Sequence, residues 1–211
     1  RSNPLVTRFR DAARGRGAPG VILLDGEHLV EEALDAAVAL DTVAIAESAV
    51  DLHAHGLVDR LTRAGAEIVR VPTAVMAAMS PVREPSGIVA LAAAQPATLD
   101  EVVAATPALV VVLNGIQDAC NVGAIIRAAD GCGATGIIAI EGTADPFGWK
   151  ALRGAMGSTF RLPVAVRQPA AQAIAFLKGR HVAIVATVPR QGTPLPDADL
   201  RGSVAVLLGG E

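Results

Sequence analysis

Leu109-Val110-Val111-Val112-Leu113 leads through the polar stretch Asn114–Cys120 into Asn121-Val122-Gly123-Ala124-Ile125-Ile126-Arg127. The unbroken aliphatic run predicts a strand buried on both faces, the habit of parallel sheets. The segment after it predicts a helix over 121–132 with Asn121 as its cap. Open α/β sheets place their chemistry at the carboxyl ends of strands, so this strand–loop–helix junction is the first candidate site. Arg127 stands among Ile125, Ile126, Ala128 and Ala129, without the polar neighbours of an ordinary solvated arginine. One reading gives it an ion pair with Asp118 or Asp130. The sharper reading uses the planar guanidinium, which forks onto phosphate or ribose oxygens. At about 100° per residue, six residues turn a helix by about 600°, which is about 240° beyond one full turn. Asn121 and Arg127 therefore share no helix face, and the loop and cap must wrap if both are to reach one point.

Outward from this junction, helices and strands alternate. Downstream, strands are expected at 136–140, 162–166, 182–188 and 204–208, with helices at 147–156 and 170–177 between them. Strands separated by helices indicate a mostly parallel sheet covered on both faces. Upstream, helices are expected at 4–14, 27–38, 52–64 and 73–79, and strands at 21–24, 42–46, 67–71 and 87–94. Gln95-Pro96-Ala97-Thr98, a short helical stretch and Pro107 interrupt the pattern. The expected organisation is an α/β chain in two parts. Residues 1–94 form a small N-terminal domain, 95–107 a linker, and 108–211 a second, mostly parallel-sheet α/β domain. A buried strand ends in Gly209-Gly210-Glu211, and a further C-terminal segment is expected to cover it.

Composition narrows the chemistry. Hydrophobic residues make up 52% of 211, but aromatics only 2%, so the core is aliphatic and base recognition by a row of stacking rings is weakened. The net charge of −3 means that any nucleic-acid partner must use a local patch. Residues 1–20 offer one candidate, with Arg1, Arg8, Arg10, Arg14 and Arg16 against a single acid, Asp11; the other reading of such a run, and the commoner one, is a solvated helix face. Cys120 and Cys132 read as small packing residues, and no leader or membrane-length apolar run is seen, so a reduced, cytoplasmic protein is expected. His28, His53, His55 and His181 show no metal-ligand spacing, and no metal is expected. Gly131-Cys132-Gly133-Ala134-Thr135-Gly136 matches a dinucleotide fingerprint in letters only. It closes a helix and enters a strand, the reverse of the required context.

Three strand ends can converge. Thr187 offers a hydroxyl after one strand, Gly209 and Gly210 allow a planar ligand to approach the backbone after another, and the loop after Leu113 is the third.

These residues resemble the SpoU/TrmH family of RNA ribose 2′-O-methyltransferases, of the knotted methyltransferase class. The resemblance rests on Asn121 followed six residues later by Arg127 after a hydrophobic strand, and on Leu207-Leu208-Gly209-Gly210-Glu211, where the family has Gly-Asn-Glu. Asn3-Pro4-Leu5-Val6 and the segment Asp25–Ala33 are similar to the start of the family's N-terminal substrate-binding domain. Ala119 stands where the family often has Pro, and a Ser-Leu-Asn motif of its C-terminal knot segment is absent. The resemblance implies a knotted methyltransferase domain lacking that segment. It implies S-adenosylmethionine held by Thr187, Leu207, Gly209 and Gly210, Arg127 as the catalytic residue, Asn121 placing the loop or ribose, and Glu211 orienting either. Arg8, Arg10, Arg14, Arg16 and His28 become candidate RNA contacts. A homodimer with shared sites and ribosomal RNA as substrate follow by the same analogy. A transfer RNA enzyme and a non-catalytic RNA-binding protein are the alternatives.

Overall fold

The computed structural model describes residues 3–49 and 54–209. In chain order the elements are α1 (Pro4–Ala13), β1 (Val21–Asp25), α2 (Glu27–Asp35), β2 (Leu40–Ala46), α3 (Ala54–Arg63), β3 (Glu67–Val71), α4 (Thr73–Met79), β4 (Ile88–Ala93) and α5 (Leu99–Val102). They continue with β5 (Leu109–Asn114), α6 (Ala119–Gly131), β6 (Gly136–Ile140), α7 (Trp149–Ala155), α8 (Ser158–Arg161), β7 (Val164–Gln168), α9 (Ala170–Gly179), β8 (Ala183–Ala186) and β9 (Val204–Gly209). None of the helices among these residues is long and apolar enough to cross a membrane.

Two sheets result. The first runs β1-β4-β2-β3, with β4 antiparallel to both neighbours and β2 parallel to β3. The second runs β7-β6-β5-β9-β8, with each strand parallel to its neighbours. The last strand thus inserts beside β5, with Leu113 opposite Leu208 and Asn114 opposite Gly209. Parallel pairing aligns the carboxyl ends of β5, β9 and β8 on one edge. The segment 95–107 is not free chain. Val102 is fully buried, and Ala97, Leu99 and Val103 pack with it onto β5, β6 and β7 of the second sheet. A side-chain carbon at Gly136 would meet Val102 at 2.7 Å, so the strand can pass only as glycine.

The helix expected at 147–156 is observed as α7. Met156 and Gly157 take left-handed backbone angles, φ 51° and 88°, and separate it from a short α8 that the sequence pattern does not announce. The helix after β5 begins earlier than expected. Its cap is Asp118, whose Oδ1 accepts the Cys120 N–H at 2.7 Å, and Asn121 lies inside the first turn. Cys120 and Cys132 are free and exposed rather than packed.

Two polar bridges join the halves of the molecule. Arg161 of α8 donates to Glu32 of α2 and, at 2.9 Å, to Asp130 of α6. Arg153 of α7 approaches Asp25 at 3.8 Å, where Ser80 also donates its hydroxyl at 2.5 Å. Burial pushes the Asp25 carboxyl above its ordinary 3.8, against the opposing pulls of the Ser80 hydrogen bond and the Arg153 charge. The unfolded carboxyl ionises near 3.8 and the folded one holds its proton higher, so the folded state loses stability as pH rises through that raised value. Asp25→Asn removes this cost and keeps an acceptor for Ser80. The variant is expected to be more stable than the parent at neutral pH in urea unfolding, with the gap closing below pH 3.8. A parent that stays the more stable at neutral pH would mean that the Arg153 pairing outweighs burial.

Candidate active site

The loop that follows β5 is held by its neighbour after β6. Gly115, at φ 73°, donates its N–H to Thr143 Oγ1 at 3.1 Å, and that hydroxyl donates to the Leu113 carbonyl at 2.9 Å. Ala144 N–H reaches the Ile116 carbonyl at 2.8 Å. The only sequence signal of this brace is a threonine in the polar turn after a buried strand, a residue type suited to closing turns through its hydroxyl. On the far side, Thr187 donates both its N–H and its hydroxyl to the Leu207 carbonyl, at 2.9 and 3.1 Å. These bonds fasten β8 to β9 beyond the last ladder pair.

Between the fastened loops lies a cavity of about 540 Å³. Gly115, Gln117, Asp118 and Asn121 line it with Ala124 and Gly209. A side-chain carbon at Gly115 or Gly209 would meet nothing within 4 Å, so the backbone there stands open to a ligand. The structure thus brings Asn121 and Gly209 to one cleft, across the paired ends of β5 and β9. Leu207 and Thr187 sit on the same edge but do not line the cavity. Gly210 and Glu211 lie outside the described residues.

Arg127 also does not line the cavity. With Asn121 inside α6 rather than at a wrapped cap, the rigid helix keeps the two side chains about 120° apart round its axis. Neither expected ion pair forms: Asp130 is taken by Arg161, and Asp118 by its own helix end. Arg127 is exposed and carries no side-chain hydrogen bond or ion pair among the described residues.

The N-terminal candidates divide in the same way. Arg8 is paired with Asp41 at 2.5 Å, and His28 approaches Glu32 at 3.8 Å. Arg10, Arg14 and Arg16 are exposed, with no side-chain partner among the described residues. The described residues hold no cluster of His, Cys, Asp and Glu suited to a metal ion.

Residues 108–211 match the SpoU rRNA Methylase family, and residues 6–90 match the MRM3-like substrate binding domain. The chain belongs to the SpoU family. A 23S rRNA guanosine 2′-O-methyltransferase of Bacillus subtilis is 28% identical over 196 residues, covering 93% of this chain and 74% of that protein. A 23S rRNA guanosine-2′-O-methyltransferase of Xylella fastidiosa is 35% identical over 104 residues, 49% of this chain and 42% of that one. Among solved structures, an AdoMet-bound rRNA methyltransferase of Sinorhizobium meliloti superposes with a TM-score of 0.83 at 25% identity. It covers 97% of this chain and 77% of its own. The SpoU methyltransferase AviRb of Streptomyces viridochromogenes, at 21% identity and a TM-score of 0.86, shares the fold over 100% of this chain and 82% of its own.

Proposed function

We propose that this SpoU chain transfers a methyl group from S-adenosylmethionine to a ribose 2′-oxygen of ribosomal RNA, with 23S rRNA as its substrate. One observation carries the reading: β5, β9 and β8 end side by side over an open cleft walled by the first turn of α6. The relatives' activities on 23S rRNA and the AdoMet-bound neighbour supply the chemistry.

The cleft fits the cofactor. Its volume of about 540 Å³ lies in the range of small-ligand pockets, roughly 300–1,000 Å³. The open backbone at Gly115 and Gly209 admits a planar group. Gly209, Leu207, Thr187 and Gly210 are the residues assigned to hold it, through backbone groups. Bound there, S-adenosylmethionine supplies an electrophilic methyl group. The chain's part is to align the ribose and ease loss of its proton. Arg127 does not act as a base, because a guanidinium stays protonated. It stabilises the developing alkoxide or grips a neighbouring phosphate. Asn121 faces the ribose from the first turn of α6, and Glu211 is assigned to orient Arg127 or the substrate.

Arg127 does not line the cleft of its own protomer and carries no side-chain hydrogen bond or ion pair among the described residues. A homodimer with shared sites places the Arg127 of one protomer at the cleft of its partner, and this arrangement belongs to the proposal. So do a boundary between substrate-binding and transfer domains within 95–107, RNA contact through Arg10, Arg14, Arg16, Arg8 and His28, and a cytoplasmic location. The test uses S-adenosylmethionine with a labelled methyl group, offered with unmodified 23S rRNA and, separately, with tRNA. After alkaline hydrolysis, label is expected in resistant dinucleotides from the rRNA, the mark of a blocked 2′-oxygen. RNA retained without any transfer would overturn the enzyme reading in favour of an RNA-binding protein.

A further inference from the structure

A second concavity lies between α1, α4 and α7, outside the cleft just described. It is a cavity of about 430 Å³ lined by Arg10 of α1 and Arg14 at its C-cap, Met79 and Ser80 at the end of α4, and Trp149 at the start of α7. Trp149 is the chain's one tryptophan, and there is no tyrosine. Its ring packs partly against the core around Phe9, Met76 and Met79. The Lys150 ammonium stands over the ring, 5.6 Å from its centroid.

Arg10, in the last turn of α1, and Arg14, its C-cap, are four residues apart and line the same groove. Both are exposed with no side-chain partner among the described residues, whereas Arg8 is occupied by Asp41. Arg153, one turn beyond Trp149, is half exposed beside Asp25. Arg10, Arg14 and Lys150 thus gather at one aromatic ring in a chain of net charge −3. Asp11 lies between the two arginines in sequence, and Asp25 is buried. The groove is also tied to the cleft. The loop leading into Trp149 is the one that braces Gly115 and Ile116 through Thr143 and Ala144.

We propose that this groove takes an unstacked nucleotide of the RNA substrate, its base against Trp149 and its flanking phosphates on Arg10 and Arg14. The inference rests on the RNA-substrate reading above. Duplex phosphates need only charge, whereas an aromatic ring set among cations suits a base splayed from a loop or bulge. Lys150 holds the ring face in the free protein. An arriving base displaces it, and its ammonium then meets the phosphate.

Because Trp149 is the only tryptophan, its emission reports on this groove alone. Adding unmodified 23S rRNA is expected to quench that emission in a salt-sensitive manner. Trp149→Leu, with folding checked by thermal melting, is expected to weaken retention of the same RNA on filters by about tenfold. The exposed pair Arg10→Gln with Arg14→Gln is expected to lower the slope of log affinity against log salt by about two, one for each lost phosphate contact. RNA retained with unchanged emission, or held equally well by the leucine variant, would overturn the groove, as would no retention at all. Methyl transfer without quenching removes the groove and leaves the proposed activity. Quenching without transfer does the reverse.

Discussion

Arg127→Ala is expected to lower methyl transfer to rRNA by at least about a hundredfold, the usual loss when a preorganised charge-stabilising donor is removed. The melting temperature should barely move. Arg127 is exposed and makes no side-chain hydrogen bond or ion pair among the described residues, and such surface changes usually stay within about 0.5 kcal/mol. Activity and stability therefore separate at this position, which a structural arginine such as Arg161, bonded to Glu32, Asp130 and Ser158, would not allow. Arg127→Lys sharpens the test. It keeps the charge and loses the planar fork, and should resemble the alanine variant more than the parent. A fall in kcat would place the guanidinium on the developing alkoxide, whereas a rise in KM with kcat intact would place it on a phosphate. Near-normal turnover by the lysine variant would remove the bidentate role.

The strand at 109–114 was legible because a run of Leu and Val without a polar break has few other uses in a chain with so few aromatics. The misleading glycine motif was legible for a related reason. Gly133, at φ 79°, turns the chain out of α6, and Gly136 opens β6, so the glycines serve a turn and a close approach to Val102. The start of α6 was harder. Asp118 and Asn121 are both good caps, three residues apart, and local preference does not choose between them. The brace from Thr143 and Ala144 fixes the preceding loop, and the choice lies in those contacts. That choice decides the geometry of the site, because it puts Asn121 and Arg127 on one rigid helix. The break at Met156 was illegible, since a methionine in the left-handed region carries no sequence signature. The groove at Trp149 depends on α1 meeting α7 across the whole fold. No pattern within either helix announces it.

Gly123→Val is expected to cost more stability than any single change at the cleft. Even a lone Cβ at Gly123 would sit 2.2 Å from the Ala151 carbonyl oxygen and 2.9 Å from both the Ala155 nitrogen and the Gly154 Cα. Those atoms are helix backbone and cannot swing aside as a flexible side chain would. Across the contact, a Cβ at Gly154 would meet the Cys120 carbonyl at 3.2 Å and the Gly123 Cα at 3.3 Å. The two glycines let α6 and α7 cross almost backbone to backbone. Val122, Ile126, Ala151, Leu152 and Ala155 are buried round the crossing. A valine must drive the helices apart and open that packing, at a cost of about 1–3 kcal/mol or more. Gly123→Ala should fall between the valine variant and the parent. Separation also tilts α6, which carries Asn121 and Arg127, so activity should fall in variants still folded at the assay temperature. Chemical unfolding reads the first effect, and transfer to rRNA well below the midpoint reads the second. A valine variant with the parent's unfolding midpoint would show that α6 and α7 are not held at this distance.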